Sequence, residues 1–150
     1  MAQLAQANVA RLRAALDDPA MRGFVAALDT VNRLAEGSAG FVWRLRTDGG
    51  HGLSVVTDDG GPAFLNLSVW RDYADLHAFV YRSAHGRSVR ERRRWFVATR
   101  QPSTVLWWVA DGVRPSVQDA VRRLEHLRTH GPSPQAFSLR RRFTPPRPTR

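Results

Sequence analysis

Residues 64–70, FLNLSVW, combine a strand pattern with side chains that could do chemistry. Apolar residues alternate with Asn66 and Ser68, and Trp70 closes the polar face. If this face is covered, the Asn66 amide must find hydrogen-bond partners or a ligand, and the Trp70 indole has one N–H to satisfy. We predict that this face forms a pocket wall, with Ser68 binding substrate. A polar face turned to water would give the same pattern.

The arginine-rich segment RSVRERRRWFVATR, residues 87–100, predicts a helix whose apolar arc includes Arg93, with Arg90 at the edge of that arc. If the arc packs on the domain, Arg93 enters the interior, where a guanidinium needs a carboxylate, carbonyl groups or an anionic ligand. We predict that Arg90 or Arg93 stabilises negative charge on a substrate, a structural salt bridge being the alternative. Trp95 is assigned to substrate binding.

Four aromatic and histidine side chains recur every four residues in the preceding helix: Tyr73, His77, Tyr81 and His85. This stripe could line a pocket mouth and bind substrate, but a boundary between core and solvent gives the same spacing. His85 falls at the predicted end of the helix, where the dipole favours an imidazolium. We predict that His85 moves protons, and a helix C-cap is the competing explanation.

The surrounding elements alternate between strand and helix. Hydrophobic periodicity and capping residues predict strands at 2–12, 40–47, 64–70, 103–111 and 135–143, and helices at 18–37, 72–85, 87–100 and 116–131. Alternation in 40–47 places Phe41 and Arg44 on opposite faces of the strand. Asp72 and Ser116 are the predicted N-caps of their helices, the second with Asp119 at N3, and the predicted inward residues of the helix at 72–85 are Leu76, Phe79, Val80 and Ser83. Residues 48–62 are assigned to a long, mobile connection. The strand at 103–111 is apolar on both faces, which is typical of a central strand. The order predicts an α+β, ferredoxin-like βαββαβ domain with extra helices.

The predicted helices cover one face of such a sheet. Because the other face is also apolar, it needs a partner, and a second copy of the same sheet is the simplest one. We therefore expect a homodimer that closes a dimeric α/β barrel.

Composition limits the possible chemistry. The chain has no cysteine and no lysine, which excludes disulfides, thiolate sites, Schiff bases and a P-loop lysine. His126 and His130 have metal-ligand spacing, but no third ligand accompanies them and no metal site is predicted. The absence of a long apolar run or a signal peptide predicts a cytoplasmic protein with no membrane partner.

The formal charge of +10 is unevenly distributed, because five of the 23 arginines lie in residues 140–150, where there is no acidic residue. We assign residues 1–139 to a single domain and residues 140–150 to a basic, Pro-rich tail with the composition of a disordered segment. Nucleic-acid binding is therefore not the expected function, although a basic tail can bind phosphates.

Three stretches of the sequence resemble an uncharacterised bacterial subfamily of the dimeric α/β-barrel superfamily. They are NLSVWRDYADLHAFVYRSAH, the arginine-rich helix with WF, and VLWWV. That superfamily includes the antibiotic-biosynthesis monooxygenases. The resemblance implies a homodimer with a small-molecule pocket between sheet and helices in each subunit.

The resemblance also implies candidate functions. Cofactor-free monooxygenases that oxidise polycyclic phenols have a pattern that matches Asn66, Trp70 and Arg90. The match implies catalytic roles for these residues, since an Asn amide and an indole N–H can hydrogen-bond a phenolate or peroxide oxygen. It also implies an aromatic or polyketide-like substrate from natural-product biosynthesis and no cofactor. The alternative is a haem-binding or haem-degrading protein, in which Asn8, Trp70 and His85 match and His85 or His77 ligates the haem iron. A non-catalytic ligand-binding module is the third possibility.

Overall fold

The structure of the chain is a computed structural model that describes residues 1–46, 53–56, 62–84 and 93–147. The strands are β1 (Ala2–Arg11), β2 (Phe41–Arg44), β3 (Leu53–Val56), β4 (Pro62–Trp70) and β5 (Thr104–Ala110), and the helices are α1 (Arg22–Glu36), α2 (Tyr73–Ala84) and α3 (Val117–His130). A 3-10 turn at Pro19–Met21 precedes α1. The chain is therefore an α+β protein. Within the described ranges, no helix is both long enough and apolar enough to cross a membrane.

All strand pairs of the sheet are antiparallel, and the order is β2-β4-β1-β5, with β3 also paired to β4. Strands β2 and β3 share one edge of β4, because Arg44 lies opposite Ser68 and Leu53 lies opposite Leu65. This arrangement is consistent with a ferredoxin-like fold in which β2 and β3 together occupy the edge beside β4.

Two strand predictions are wrong. Residues 53–56 were predicted to belong to a mobile connection, but they form β3, because pairing with β4 stabilises a segment too short to show a clear pattern of its own. Residues 103–111 were predicted to be central, but β5 lies at the end of the described sheet order, and β1 and β4 are central. Burial on both faces, rather than a central position, explains the apolar sequence of β5.

One face of the sheet packs against α3. Leu65 and Leu67 of β4 join one core cluster with Leu124 and Leu127 of the helix. The helix starts at a capping box, in which Ser116 and Asp119 accept hydrogen bonds from each other's backbone N–H. The prediction that this face is left bare for a second copy is therefore wrong, because the same chain covers it.

The opposite face packs against α1, α2 and the chain after residue 135. Leu76 of α2 and Ala35 of α1 join Trp70 in a second core cluster. Helix α2 begins after Asp72, whose side chain accepts a hydrogen bond from the Asp75 N–H at 2.9 Å, as the predicted cap requires. The two helices and the sheet enclose the candidate site.

Residues 135–143 were predicted to form a strand, but Phe137 makes only an isolated bridge with Leu106. Beyond it, Phe143 packs against Phe137, and the Trp108 indole Nε1 donates a hydrogen bond to the Phe143 carbonyl at 2.8 Å. The described part of the predicted tail, residues 140–147, therefore contacts the domain at Phe143.

The predicted helix at 87–100 is also shorter than expected where it is described. Residues 93–95 are helical, but Phe96 forms a bridge with Leu12 and residues 97–99 are not helical. Because the chain becomes extended at Phe96, the projection that pointed Arg93 inward fails. Arg93 is exposed, and Trp95 is the buried residue among 93–100, the described part of this segment.

Candidate functional site

A cavity of about 420 Å³ lies between the sheet and helices α1 and α2. Its floor is the even-numbered face of β4, from Phe64 to Trp70, together with Gln6 and Asn8 of β1. The alternation of β4 places Asn66 and Ser68 on this face and three aliphatic residues on the other. A cavity of this size is typical of small-molecule sites.

A hydrogen-bonded network runs along the floor. Gln6 Nε2 donates to Asn66 Oδ1 at 2.8 Å and to Ser68 Oγ at 2.9 Å. Trp70 Nε1 also donates to Ser68 Oγ, at 2.9 Å. The antiparallel register explains the network, since Gln6 lies directly opposite Ser68 and beside Asn66.

The network leaves two hydrogen-bond donors of β4 available to a ligand. A hydroxyl has one O–H donor and two lone pairs, and Ser68 Oγ already accepts two hydrogen bonds. The Ser68 O–H and the Asn66 Nδ2 hydrogens have no acceptor among the described residues. This part of the floor is therefore suited to binding an acceptor oxygen.

Aromatic side chains flank this polar centre at both ends of β4. Trp70 stacks on Phe79 at 4.9 Å between ring centroids and meets the edge of Phe41 at 5.5 Å. At the other end, Phe24 meets the edge of Phe64 at 5.4 Å. The walls are therefore suited to a flat, apolar ligand with a polar group near its middle.

Arg44 supplies a positive charge at the edge of the cavity. A bulge between Phe41 and Trp43 puts Phe41 and Arg44 on the cavity side of β2. Only 11% of the Arg44 side chain is exposed, and its Nε donates to Glu36 Oε1 at 2.6 Å. This hydrogen bond lowers the pKa of Glu36. Sequence reasoning missed Arg44, because simple alternation assigned Phe41 and Arg44 to opposite faces.

Asn32 of α1 is a second residue that the sequence did not reveal. It lines the cavity, is 3% exposed, and has no partner for its Nδ2 among the described residues. Its position beside the apolar stripe of α1 was a signal, because an amide there interrupts a surface that otherwise packs on the core.

Several predicted site residues lie elsewhere. Arg93 is exposed and Trp95 is buried against Phe24, 5.7 Å between ring centroids, and neither lines the cavity. Trp70 lines it, but its indole N–H donates to Ser68 Oγ within the protein, whereas sequence analysis directed this N–H at a ligand. His85 and Arg90 lie outside the described residues.

The stripe on α2 lies on the outside of the helix. Tyr73 and His77 stack at 5.8 Å and line a separate surface groove with Arg140 and Arg142, while Tyr81 is 62% exposed. The Arg142 guanidinium lies 4.4 Å from the centre of the Tyr73 ring. The cavity is lined instead by the inward face of α2, as its apolar spacing predicts: Leu76, Phe79, Val80 and Ser83.

The described cavity wall offers no ligand for a metal or haem iron, since it contains no His, Cys, Met, Tyr, Asp or Glu. His77, a predicted haem ligand, is exposed on the outer side of α2. The rings of His126 and His130 on α3 lie 4.7 Å apart between centroids and are tilted by 46°, and the described chain contains no group of three or more potential metal ligands.

Comparison with known proteins places the chain in a family for which no activity is described. Residues 3–150 match the family described as a domain of unknown function, DUF3291. The match spans nearly the whole chain, including the basic C-terminal segment. No curated protein matches the chain.

Proposed function

The chain belongs to the DUF3291 family, and we propose that it binds a small aromatic or polyketide-like phenol in the cavity and oxidises it with O2. The observation that carries this proposal is the donor-lined centre of the floor, at Asn66 and Ser68, between two aromatic ends. A phenolate oxygen accepts hydrogen bonds, and its rings fit aromatic walls. The resemblance to cofactor-free monooxygenases adds the reaction type.

The proposed chemistry uses the substrate as its own reductant. A phenolate transfers electron density to O2, a C–O bond forms at the ring carbon para to the phenolic oxygen, and the hydroperoxide loses water to give a quinone. One oxygen atom stays on the ring, and the other leaves as water with the two hydrogens that the phenol loses. The balance needs no external reductant.

The residues present suit this chemistry. Ser68 O–H and Asn66 Nδ2 donate to the phenolate, and Arg44 adds positive charge nearby, so the site favours the ionised substrate that reacts with O2. Trp70 and Gln6 fix the Ser68 hydroxyl and act as positioning residues. Because no Asp, Glu or His lines the described wall, the phenolate is recruited from solution or formed by a group outside the described residues.

The test uses 1-naphthol as the probe. We expect the purified protein to bind 1-naphthol in calorimetry under nitrogen, and in air to consume O2 and release 1,4-naphthoquinone without added metal or flavin. Asn66→Ala, which removes a donor to the charged oxygen, should lower the rate about tenfold or more. Gln118→Ala on α3, which is exposed and outside the cavity, is the matched control and should leave the rate unchanged.

Binding without O2 consumption above the protein-free rate would reject the oxygenase and leave a ligand-binding module. A Soret band after haem addition that persists on gel filtration would favour the haem alternative, with His85 the ligand to test first. Absence of 1-naphthol binding would reject the proposed function. A homodimer and a role in natural-product biosynthesis remain parts of the proposal that rest on the resemblance, although α3 covers the sheet face that would close a dimeric α/β barrel.

A further inference from the structure

Asn32 interrupts the buried face of α1. Its neighbours one turn away in either direction, Leu28 and Ala35, are buried apolar residues. Asn32 is buried as deeply, at 3% exposed, yet its Nδ2 donates to no described residue. A buried amide without a partner is unfavourable, whereas a leucine, which has the same number of side-chain heavy atoms and also branches at Cγ, would continue the apolar face.

The position of Asn32 in the cavity wall points to ligand binding as the role of its unused donor. The side chain lines the cavity from the helix layer, whereas Asn66 and Ser68 present their free donors from the sheet layer. The two sets of donors therefore belong to different walls. Nδ2 itself is shielded from solvent, and rotation of the amide about its Cβ–Cγ bond would present this donor to a second oxygen atom of a ligand.

We infer that the natural ligand carries at least two oxygen acceptors, one bound at Asn66 and Ser68 and another bound by Asn32. This inference rests on the proposed function and narrows its substrate class to polyoxygenated aromatics. A hydroxyl, phenolate or carbonyl oxygen would serve as the second acceptor. Asn32 is then a specificity-determining residue that selects the substitution pattern of the rings.

The test compares probes with one and two oxygen atoms by calorimetry under nitrogen. The probes are 1-naphthol and the 1,5-, 1,6- and 1,7-dihydroxynaphthalenes. In the unmodified protein we expect at least one dihydroxy probe to bind about fivefold more tightly than 1-naphthol, the effect of one added hydrogen bond. In Asn32→Leu this preference disappears, because the preferred dihydroxy probe loses more affinity than 1-naphthol does.

The variants separate recognition from folding. Asn32→Leu removes an unsatisfied buried donor, so its melting temperature should equal or exceed that of the parent. Asn32→Asp keeps the shape of the side chain but replaces the donor by oxygen, and it should also lose the preference. Gln118→Leu replaces an exposed amide on α3, and this control variant should retain the preference for the dihydroxy probe.

Each remaining outcome contradicts the inference. Equal affinities for all four probes, a preference that persists in Asn32→Leu, or an equal loss for every probe in that variant would overturn it. If Asn32→Leu is more stable and binds all probes as the parent does, the amide binds only water. Failure of the parent protein to bind 1-naphthol rejects the proposed function as well, which distinguishes the two failures.

Discussion

At the residue scale, the site depends on which hydrogen-bonding groups are already used. Ser68 accepts from both Gln6 and Trp70, and Gln6 also donates to Asn66. The indole N–H, which sequence reasoning directed at a ligand, therefore orients a hydroxyl instead. In the proposed site Ser68 contacts the ligand, whereas Trp70 positions the Ser68 hydroxyl, so substitutions at the two residues should affect ligand binding differently.

We predict that Ser68→Ala weakens 1-naphthol binding more than Trp70→Phe does. Ser68→Ala removes a donor to the ligand and leaves two partner N–H groups unsatisfied, which lowers the free energy of unfolding by about 1–3 kcal/mol. Trp70→Phe retains an aromatic ring and the serine O–H. Calorimetry and urea denaturation measure both effects. A larger binding loss in Trp70→Phe would show that the indole N–H contacts the ligand.

The pair between Glu36 and Arg44 should make stability depend on pH. The Arg44 hydrogen bond lowers the pKa of folded Glu36, so the ionised form stabilises the fold above the unfolded glutamate pKa of about 4.3. This stabilisation is lost as pH falls through the lowered pKa. Glu36→Gln should therefore be less stable than the parent at pH 7, and the difference should shrink in acid.

Urea denaturation between pH 7 and pH 3 measures this difference. Glu125→Gln, at an exposed glutamate of α3, is the control and should follow the parent at every pH. A stability difference for Glu36→Gln that stays constant in acid would show that ionisation of this carboxyl does not stabilise the fold.

At the element scale, the turn before β2 positions Phe41 and Arg44 against the cavity. Gly40 has φ +82°, a conformation that residues with a Cβ rarely adopt. A Cβ at this position would also overlap the Asp75 side chain of α2. The close approach of this turn to α2 therefore depends on glycine.

We predict that Gly40→Ala is more destabilising than Gly112→Ala. Gly112 has φ +84°, but no atom lies within 4 Å of the Cβ that alanine would add. The backbone strain, about 1–2 kcal/mol, is common to both variants, so the excess in Gly40→Ala measures the overlap with Asp75. Thermal and urea unfolding compare the two, and equal losses would contradict the close packing of the turn.

At the scale of the whole molecule, the C-terminal segment adds to the domain beyond residue 139. The Trp108 N–H donates to the Phe143 carbonyl, and the Phe143 ring packs 5.9 Å from that of Phe137, measured between centroids. Arg142 also lies over the Tyr73 ring. These contacts place part of the basic segment on the fold.

We predict that deleting residues 140–150 destabilises the protein, whereas deleting residues 144–150 does not. The longer deletion removes Phe143 and leaves the Trp108 N–H without its partner, a loss of about 1 kcal/mol or more. The shorter deletion retains both contacts and is the matched control. Equal stability of the two proteins in urea would indicate that the segment after 139 behaves as the disordered tail predicted from composition.

Helix α3 also changes the argument for a dimer. The apolar face that seemed to need a second copy is covered by Leu124 and Leu127 of the same chain. The resemblance still predicts a homodimer, whose interface would then lie on another surface. Light scattering at micromolar concentration should give twice the chain mass of 16.9 kDa, and a mass equal to the single chain would reject the homodimer.

Much of the local structure could be predicted from the sequence, because local patterns determine it. The alternation in 64–70 gave strand β4 and separated its two faces, the spacing in α2 gave the inward residues, and Ser116 and Asp119 marked the start of α3. These features depend on side chains two to four residues apart, where periodicity and capping act directly.

Tertiary structure alone decided which polar groups remain available for a ligand. The bulge in β2 brought Arg44 to the cavity, the register of β1 and β4 placed Gln6 against Asn66 and Ser68, and the packing of α1 left Asn32 Nδ2 without a partner among the described residues. The chain path after Trp95 kept Arg93 outside. Each outcome depends on contacts between residues distant in sequence, where no local period operates. The pattern therefore predicted the polar face of β4, and the fold determined its donors.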